Sequence, residues 1–343
     1  MIIQKNQTTA GGFRHGELLA TESSRITRRK FLTTAAASAC ALCAGRATAA
    51  PKFTTTLKTA LIHGVPDEKY LTELKAAGYD GMECSAWKVT PEQASGARAL
   101  AEKMGLKIHS VLFGWAQLND EKKFDEGVAN ITAALQAAQA YGAEALLVVP
   151  CRIGGGGMKM PKPREFQFAF DAKTGRIQKC VAGDNAPYAD YIAAHNVAID
   201  ASRKAFEKLI PVAEKTGVVI AHENVWNNLW VKPDIFANFV GSFQSKWLRT
   251  YFDIGNHVKY APPEEWIRTL GKLIAKCHVK DFKLNDAPGG DGKFVNIRDG
   301  SISWPAVRSA LDAIGYNGWM TIEGGSLTPA EHRQRLGQIV AGE

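Results

Sequence analysis

Residues 218–226 read VVIAHENVW, and the same design recurs as LRTYFDIGN at 248–256, AKCHVKDF at 275–282 and GWMTIEGG at 318–325. Each is a short apolar run that ends on an acid or an imidazole: Glu223, Asp253, His278 and Glu323. Each follows a stretch with helical spacing. Strands that alternate with helices build parallel sheets, and in a parallel barrel the C-terminal strand ends converge on one face. Three carboxylates and one imidazole meeting there form a ligand set for a hard divalent cation.

Upstream, the same alternation begins near residue 57. Residues 57–64, 79–85, 106–114 and 143–153 are strand-like. Helical spacing covers 67–77, 90–104, 120–141 and 199–216, and then 232–240, 262–274, 304–314 and 328–340. Gly78 and Gly217 stand where helices stop, and Thr90-Pro91 reads as a cap followed by a first-turn proline. Eight strands and eight helices in β-then-α order predict a single (β/α)8 TIM barrel over residues 50–343. A doubly wound sheet would need a Gly-rich phosphate turn after its first strand, and His63-Gly64-Val65-Pro66 supplies none. An insertion at 154–195 opens with Gly154 to Gly157 and is expected to form a lid or wall on the catalytic face. No GK[ST] follows those glycines, so a nucleotide cradle is not expected. The loop at 285–300 should lie over the same face.

The chain has 343 residues, 45% hydrophobic and 22% charged, ordinary values for a globular protein. Its net charge of +8 is unevenly placed. Residues 1–49 hold seven Lys/Arg against two Glu; the rest holds 35 basic against 32 acidic residues, only +3. The basic excess belongs to the leader and argues against a nucleic-acid partner. In that leader, Thr27-Arg28-Arg29-Lys30-Phe31-Leu32 precedes a small-residue apolar run and Ala47-Thr48-Ala49. It resembles a bacterial twin-arginine export signal cleaved near Ala49, which implies a periplasmic or extracellular mature protein. No later stretch has 18 uninterrupted apolar residues, so no permanent membrane span is expected. Cys84, Cys151, Cys180 and Cys277 remain beyond the leader without CxxC spacing; unpaired, buried thiols are the usual reading, and an exported protein could pair two of them.

From residue 57 to the end, the chain resembles the xylose isomerase-like barrel family of sugar isomerases and epimerases. The resemblance rests on HENVWNN, YFDIGNH, CHVKDF and TIEGG around the four residues named above. It implies that Glu223, Asp253, His278 and Glu323 bind one divalent ion, with Mn2+ expected and Mg2+, Co2+ or Zn2+ as alternatives. It also implies that Glu223 and Glu323 move protons. The expected reaction is isomerisation or epimerisation of a free, keto- or glycosidic sugar through an enediolate. Glu83, His109, Trp115, Asn256, His257 and Lys280 are candidate substrate contacts; Trp87 and Trp226 are further aromatic candidates. His222 should point away from Glu223.

The sequence departs from the ketose epimerase branch at Leu229, Asn256 and Leu284, where that branch carries a glutamate, a histidine and an arginine. Metal chemistry is therefore inherited more securely than substrate choice. The rival in the same site is a lyase or hydrolase acting on a 3-keto-glycoside. A non-catalytic sugar-binding barrel and a DNA-repair endonuclease are rivals of other classes, the latter disfavoured by Asn256 and the small charge beyond the leader. A small-molecule sugar is the expected partner, and a homo-oligomer is compatible with the sequence. Replacing Arg28 and Arg29 together by Lys should trap precursor inside the cell; fractionation that finds normal amounts outside would overturn the export reading.

Overall fold

Eight short strands close into a parallel barrel: β1 (Lys58–His63), β2 (Gly81–Cys84), β3 (Lys107–Trp115), β4 (Ala145–Val149), β5 (Val219–Glu223), β6 (Leu248–Asp253), β7 (Ile274–Val279) and β8 (Trp319–Ile322). Neighbours follow chain order around the ring, and β8 pairs back onto β1. The helices between and after them are α1 (Glu68–Ala77), α2 (Pro91–Lys103), α3 (Phe124–Ala140), α4 (Ala189–Thr216), α5 (Pro233–Gly241), α6 (Pro263–Leu270), α7 (Trp304–Ala313) and α8 (Pro329–Ala341). The expected single (β/α)8 barrel is the observed fold. The computed structural model describes residues 53–285 and 291–343; the leader with its Arg28-Arg29 motif, and the tip of the loop at 286–290, lie outside the described residues.

The period of two along each strand decides what faces the barrel axis. On β5, Val219 and Ala221 join Ala145, Leu147, Val149 and Tyr251 in the interior, whereas Ile220 joins the outer layer beneath the helices. Glu223 is in phase with Val219 and Ala221, so it ends the strand facing inward. His222 is out of phase and packs against Trp230, Phe236 and Phe239, as the alternation requires. Among the described residues, no helix is long and apolar enough to cross a membrane.

Helix ends follow local chemistry. Asp67 accepts from the Tyr70 amide to start α1, and Thr90 with Gln93 forms a capping box at α2. Gly78 and Gly217 close α1 and α4 in the left-handed conformation. Strand β4 stops at Val149, short of the expected 153, because Pro150 has no amide hydrogen for the ladder.

The insertion differs from expectation. Helix α4 starts at Ala189 and runs 28 residues, absorbing the end of the stretch expected to be loop. A small hairpin, Ala169–Phe170 with Ile177–Lys179, packs on the helix layer, whereas Arg164 and Phe166 before it reach Tyr260 and Leu284 in the segments that follow β6 and β7, as a wall on that face would. The cause is apolar: Phe166, Ile177 and Cys180 are buried. Asn196 of α4 binds the Ile177 backbone through both its amide atoms, and Asn238 of α5 donates to Ala172. The second loop does lie beside the expected face. Asp281–Lys283 and Lys293–Val295 form an antiparallel hairpin directly after β7.

A methyl group at Gly81 would collide with the Lys107 carbonyl and come within 2.9 Å of the Trp319 ring. Gly81→Ala should therefore lower stability by about 1–3 kcal/mol, the usual result of overpacking. An unchanged urea midpoint would mean that β2 and β3 can part at little cost.

Candidate metal centre

Glu223, Asp253, His278 and Glu323 stand at the C-terminal ends of β5, β6, β7 and β8. Each offers one ligand atom, and these atoms all lie within 4.8 Å of one another. His278 Nδ1 is 2.7 Å from Glu323 Oε2, 3.5 Å from Glu223 Oε1 and 4.0 Å from Asp253 Oδ2. Lys280 Nζ adds a second cation, 3.1 Å from Asp253 and 2.8 Å from Glu323.

Each ligand is held from behind. Asp253 Oδ1 accepts the amides of Gly255 and Asn256, both at 2.8 Å, which leaves Oδ2 for the cluster. The turn that delivers those amides needs Gly255, since a side chain there would press into Lys280. Asn224 clamps β5 to β6 by donating to the Asp253 carbonyl and accepting from its amide. Asn256 Nδ2 donates to Glu223 Oε1 at 3.3 Å. Behind His278, Glu83 Oε2 sits 2.5 Å from Nε2, and both side chains are fully buried. That contact places the ring hydrogen on Nε2 and aims Nδ1 at the carboxylates. A carboxylate behind a ligating imidazole is a common device for fixing its tautomer.

These residues fit a divalent cation. Asp253 Oδ2, His278 Nδ1 and Glu323 Oε2 are buried and have no hydrogen-bond partner, since their ion-pair contacts lack hydrogen-bond alignment. Buried polar atoms are rarely left in that state, and three converging on one point call for a shared positive centre. Three oxygen donors and one nitrogen suit Mn2+, Mg2+, Co2+ or Zn2+.

The electrostatics set the two glutamates apart. Burial pushes the Glu223 carboxyl up to about 7. Burial also acts to raise Glu323, but His278 and Lys280 beside it outweigh that and hold it well below the usual range. Burial opposes charge on His278 and Lys280 too. The phenol of Tyr251 and the carboxylates of Glu83 and Glu323 override it for the imidazole, and Asp253 and Glu323 do so for the ammonium.

The model of one protein family matches residues 71–338, and its description is xylose isomerase-like TIM barrel. The chain belongs to that family. Among solved structures, the barrel superposes on 3-keto-D-glucoside 4-epimerase from E. coli with a TM-score of 0.60 at 15% identity, covering 83% of this chain and 99% of that one. It also superposes on a xylose isomerase-like TIM barrel protein from Mycobacterium smegmatis in complex with magnesium, with a TM-score of 0.58 at 16% identity over 84% and 96% of the chains. At such identities the likeness is one of fold. An uncharacterised protein of Methanocaldococcus jannaschii is 29% identical over 136 residues, 38% of this chain and 45% of that protein. The match thus spans less than half the length of that relative.

Within this xylose isomerase-like barrel, the residues expected to touch substrate separate. Lys280 and Asn256 lie in the cluster, as described. Glu83 does not line the pocket; it is buried beneath His278 and positions it. His109 also sits below the mouth, because it lies early on β3. It stacks on Trp319 at 4.2 Å and shares a 2.9 Å hydrogen bond with Thr321. His257 turns outward to the Val225 carbonyl and packs on Tyr260 and Trp266, so it has no place in the centre. Trp115 is half exposed beside Arg152, in a separate groove with Gln117, Asn119 and Asp120 that contains none of the four ligands. Trp87 packs on Phe113. Trp226 donates to the Asn256 carbonyl and packs against Phe294 at 5.0 Å, close to the centre.

Several functional neighbours escaped sequence reasoning. Ser110 donates to Glu83 at 2.8 Å and lies 3.3 Å from Tyr251 Oη, which reaches Thr321 at 3.4 Å. Tyr251 could have been found by parity, two residues before Asp253 on the same strand. Asn224 could have been suspected as the polar residue directly after a ligand. Nothing local in the sequence signals Phe294. It lines, with Lys280, Val295, Ile297, Glu323, Gly324 and Gly325, a cavity of about 250 Å³ at the mouth.

His278→Ala should abolish stoichiometric metal binding, and Glu83→Gln should weaken it about 10- to 100-fold while leaving all four ligands in place. The metal competes with protons on His278 and Glu223, whose metal-free affinities for protons are both raised. Affinity should therefore fall as pH drops through about 7 and recover as it rises. Calorimetric titration at several pH values checks both points; equal affinity in wild type and Glu83→Gln would remove Glu83 from this role.

Proposed function

We propose that this protein is a divalent-metal-dependent sugar isomerase or epimerase, acting on a free, keto- or glycosidic sugar. The observation that carries the reading is the convergence of four ligand atoms within 4.8 Å beside a cavity that Glu323 and Lys280 both line. Family membership supports the barrel and the metal centre, and the 3-keto-glucoside epimerase among the fold neighbours supports a keto-glycoside as one substrate class.

A divalent ion held by Glu223, Asp253, His278 and Glu323 would supply positive charge to stabilise the negative charge that grows when a substrate carbon loses its proton. Glu323 is held ionised by Lys280 and faces the cavity, which suits it to take a proton from carbon. Glu223 is buried on the other side of His278 from Glu323, a place that suits it to the second proton transfer. Return of the proton to the neighbouring carbon gives an isomer, and return to the opposite face of the same carbon gives an epimer. Asn256 orients Glu223 and Lys280 balances the carboxylate charge. The leader motif supports export, so the substrate would be met outside the cytoplasm.

Protein loaded with Mn2+ and incubated in D2O with a panel of sugars and 3-keto-glycosides should yield a product of equal mass with deuterium beside the carbonyl. Glu223→Gln and Glu323→Gln should each cut turnover by about 10²–10⁴. Release of a smaller fragment would indicate the lyase reading instead. No solvent exchange with any sugar, despite bound metal, would indicate a binding barrel; near-wild-type turnover in both variants would sink the two-carboxylate mechanism.

A further inference from the structure

Beyond the metal centre, the hairpin after β7 carries an arrangement that costs stability unless something compensates it. Lys283 and Lys293 are paired directly across its two strands. Like charges opposite one another on an antiparallel pair repel. Both side chains are exposed, and among the described residues neither has an ion-pair partner. Among the described residues, the acids around them are already engaged. Asp281 accepts from the amides of Phe282, Arg298 and Gly300 and from the Trp304 indole. Asp291 pairs with Lys259, Asp299 with Arg335, and Glu323 with Lys280.

The two lysines line an open cleft of about 510 Å³ together with Phe294, Val295, Asn296, Asp299, Gly325 and Ser326. Phe294, Val295 and Gly325 also line the 250 Å³ cavity that holds Glu323 and Lys280. The two spaces therefore adjoin at Phe294, a residue that is 44% exposed. A sugar ring seated at the metal centre can extend over that ring and bring its far end between two ammonium groups.

We propose that Lys283 and Lys293 form a subsite for an anionic group, and that the substrate is an acidic sugar or glycoside with its carboxylate or phosphate remote from the reacting carbons. This rests on the sugar isomerase or epimerase reading and narrows its substrate class. Carboxylate and phosphate present the same chemistry to two ammonium groups, and the probes separate them.

The full chain, loaded with Mg2+, is titrated by calorimetry with methyl glucoside, methyl glucuronide and methyl glucoside 6-phosphate. At low salt at least one acidic probe should bind about 5- to 10-fold tighter than the neutral one, the scale of two exposed charge contacts. The preference should vanish near 1 M salt, where screening acts over about 3 Å. Which acid is preferred identifies the source. In the double variant Lys283→Gln, Lys293→Gln the acidic-to-neutral ratio should fall to about one, while its melting temperature without ligand equals or exceeds that of wild type, because a repulsion has gone. A wild-type ratio near one, or a ratio unchanged in the double variant, overturns the subsite. The sugar-enzyme reading fails on a separate result: absence of solvent proton exchange with neutral and acidic keto-sugars alike.

Discussion

Three carboxylates gathered at the mouth of a barrel, two of them nearly or fully buried, form an arrangement that cannot stand by itself. Taking one ionised carboxylate out of water costs several kcal/mol, and bringing three together adds their mutual repulsion. The surroundings answer that cost with positive charge and directed donors. His278 and Lys280 stand among the oxygens, and the amides of Gly255 and Asn256 occupy one oxygen of Asp253. Even so, three ligand atoms are left without hydrogen bonds. The residual negative charge and unused lone pairs define a place for a cation, and the rest of the site is organised around it.

The barrel beneath serves that requirement. A polar chain runs from His278 through Glu83, Ser110, Tyr251 and Thr321 to His109 inside the ring of strands. Below it, buried Lys276 pairs with Glu144, and His109 stacks on Trp319. Hydrogen-bonded networks of this kind rigidify a core, because any member that moves leaves a buried partner unpaired. The imidazole is therefore fixed by the same contacts that fill the barrel. Preorganisation of this sort lets a ligand set hold its geometry whatever substrate approaches.

Specificity is placed elsewhere, on segments less constrained by the barrel. At the positions where the ketose epimerase branch keeps polar substrate contacts, Leu229 is buried, Asn256 is turned to the ligands, and Leu284 borders a separate groove with Tyr260 and Ser301. The contacts beside the centre come instead from the hairpin after β7, through Phe294 and Val295. Such a division leaves the residues at the strand ends fixed while the contacts beside them vary with the loops.

The sequence by itself determined the strand count, the barrel and which four polar side chains gather at its C-terminal end, because these depend on local periods. Inward-facing residues recur every second position, and a ligand at the end of each of four strands can be counted without knowing any distance. The same parity placed His222 on the outside. Only the tertiary structure decided the roles of Glu83, His109 and His257. Glu83 and His109 lie on strands that ring closure brings across the barrel from β7 and β8, so their depth depends on strand stagger and on the irregular register between β2 and β3. His257 follows a ligand turn whose backbone path, and not its sequence, sends the ring outward. The hairpin within the insertion was misplaced for a related reason: it found a surface on α4 and α5, and a chain read in one dimension cannot show which distant surface will bury its apolar residues.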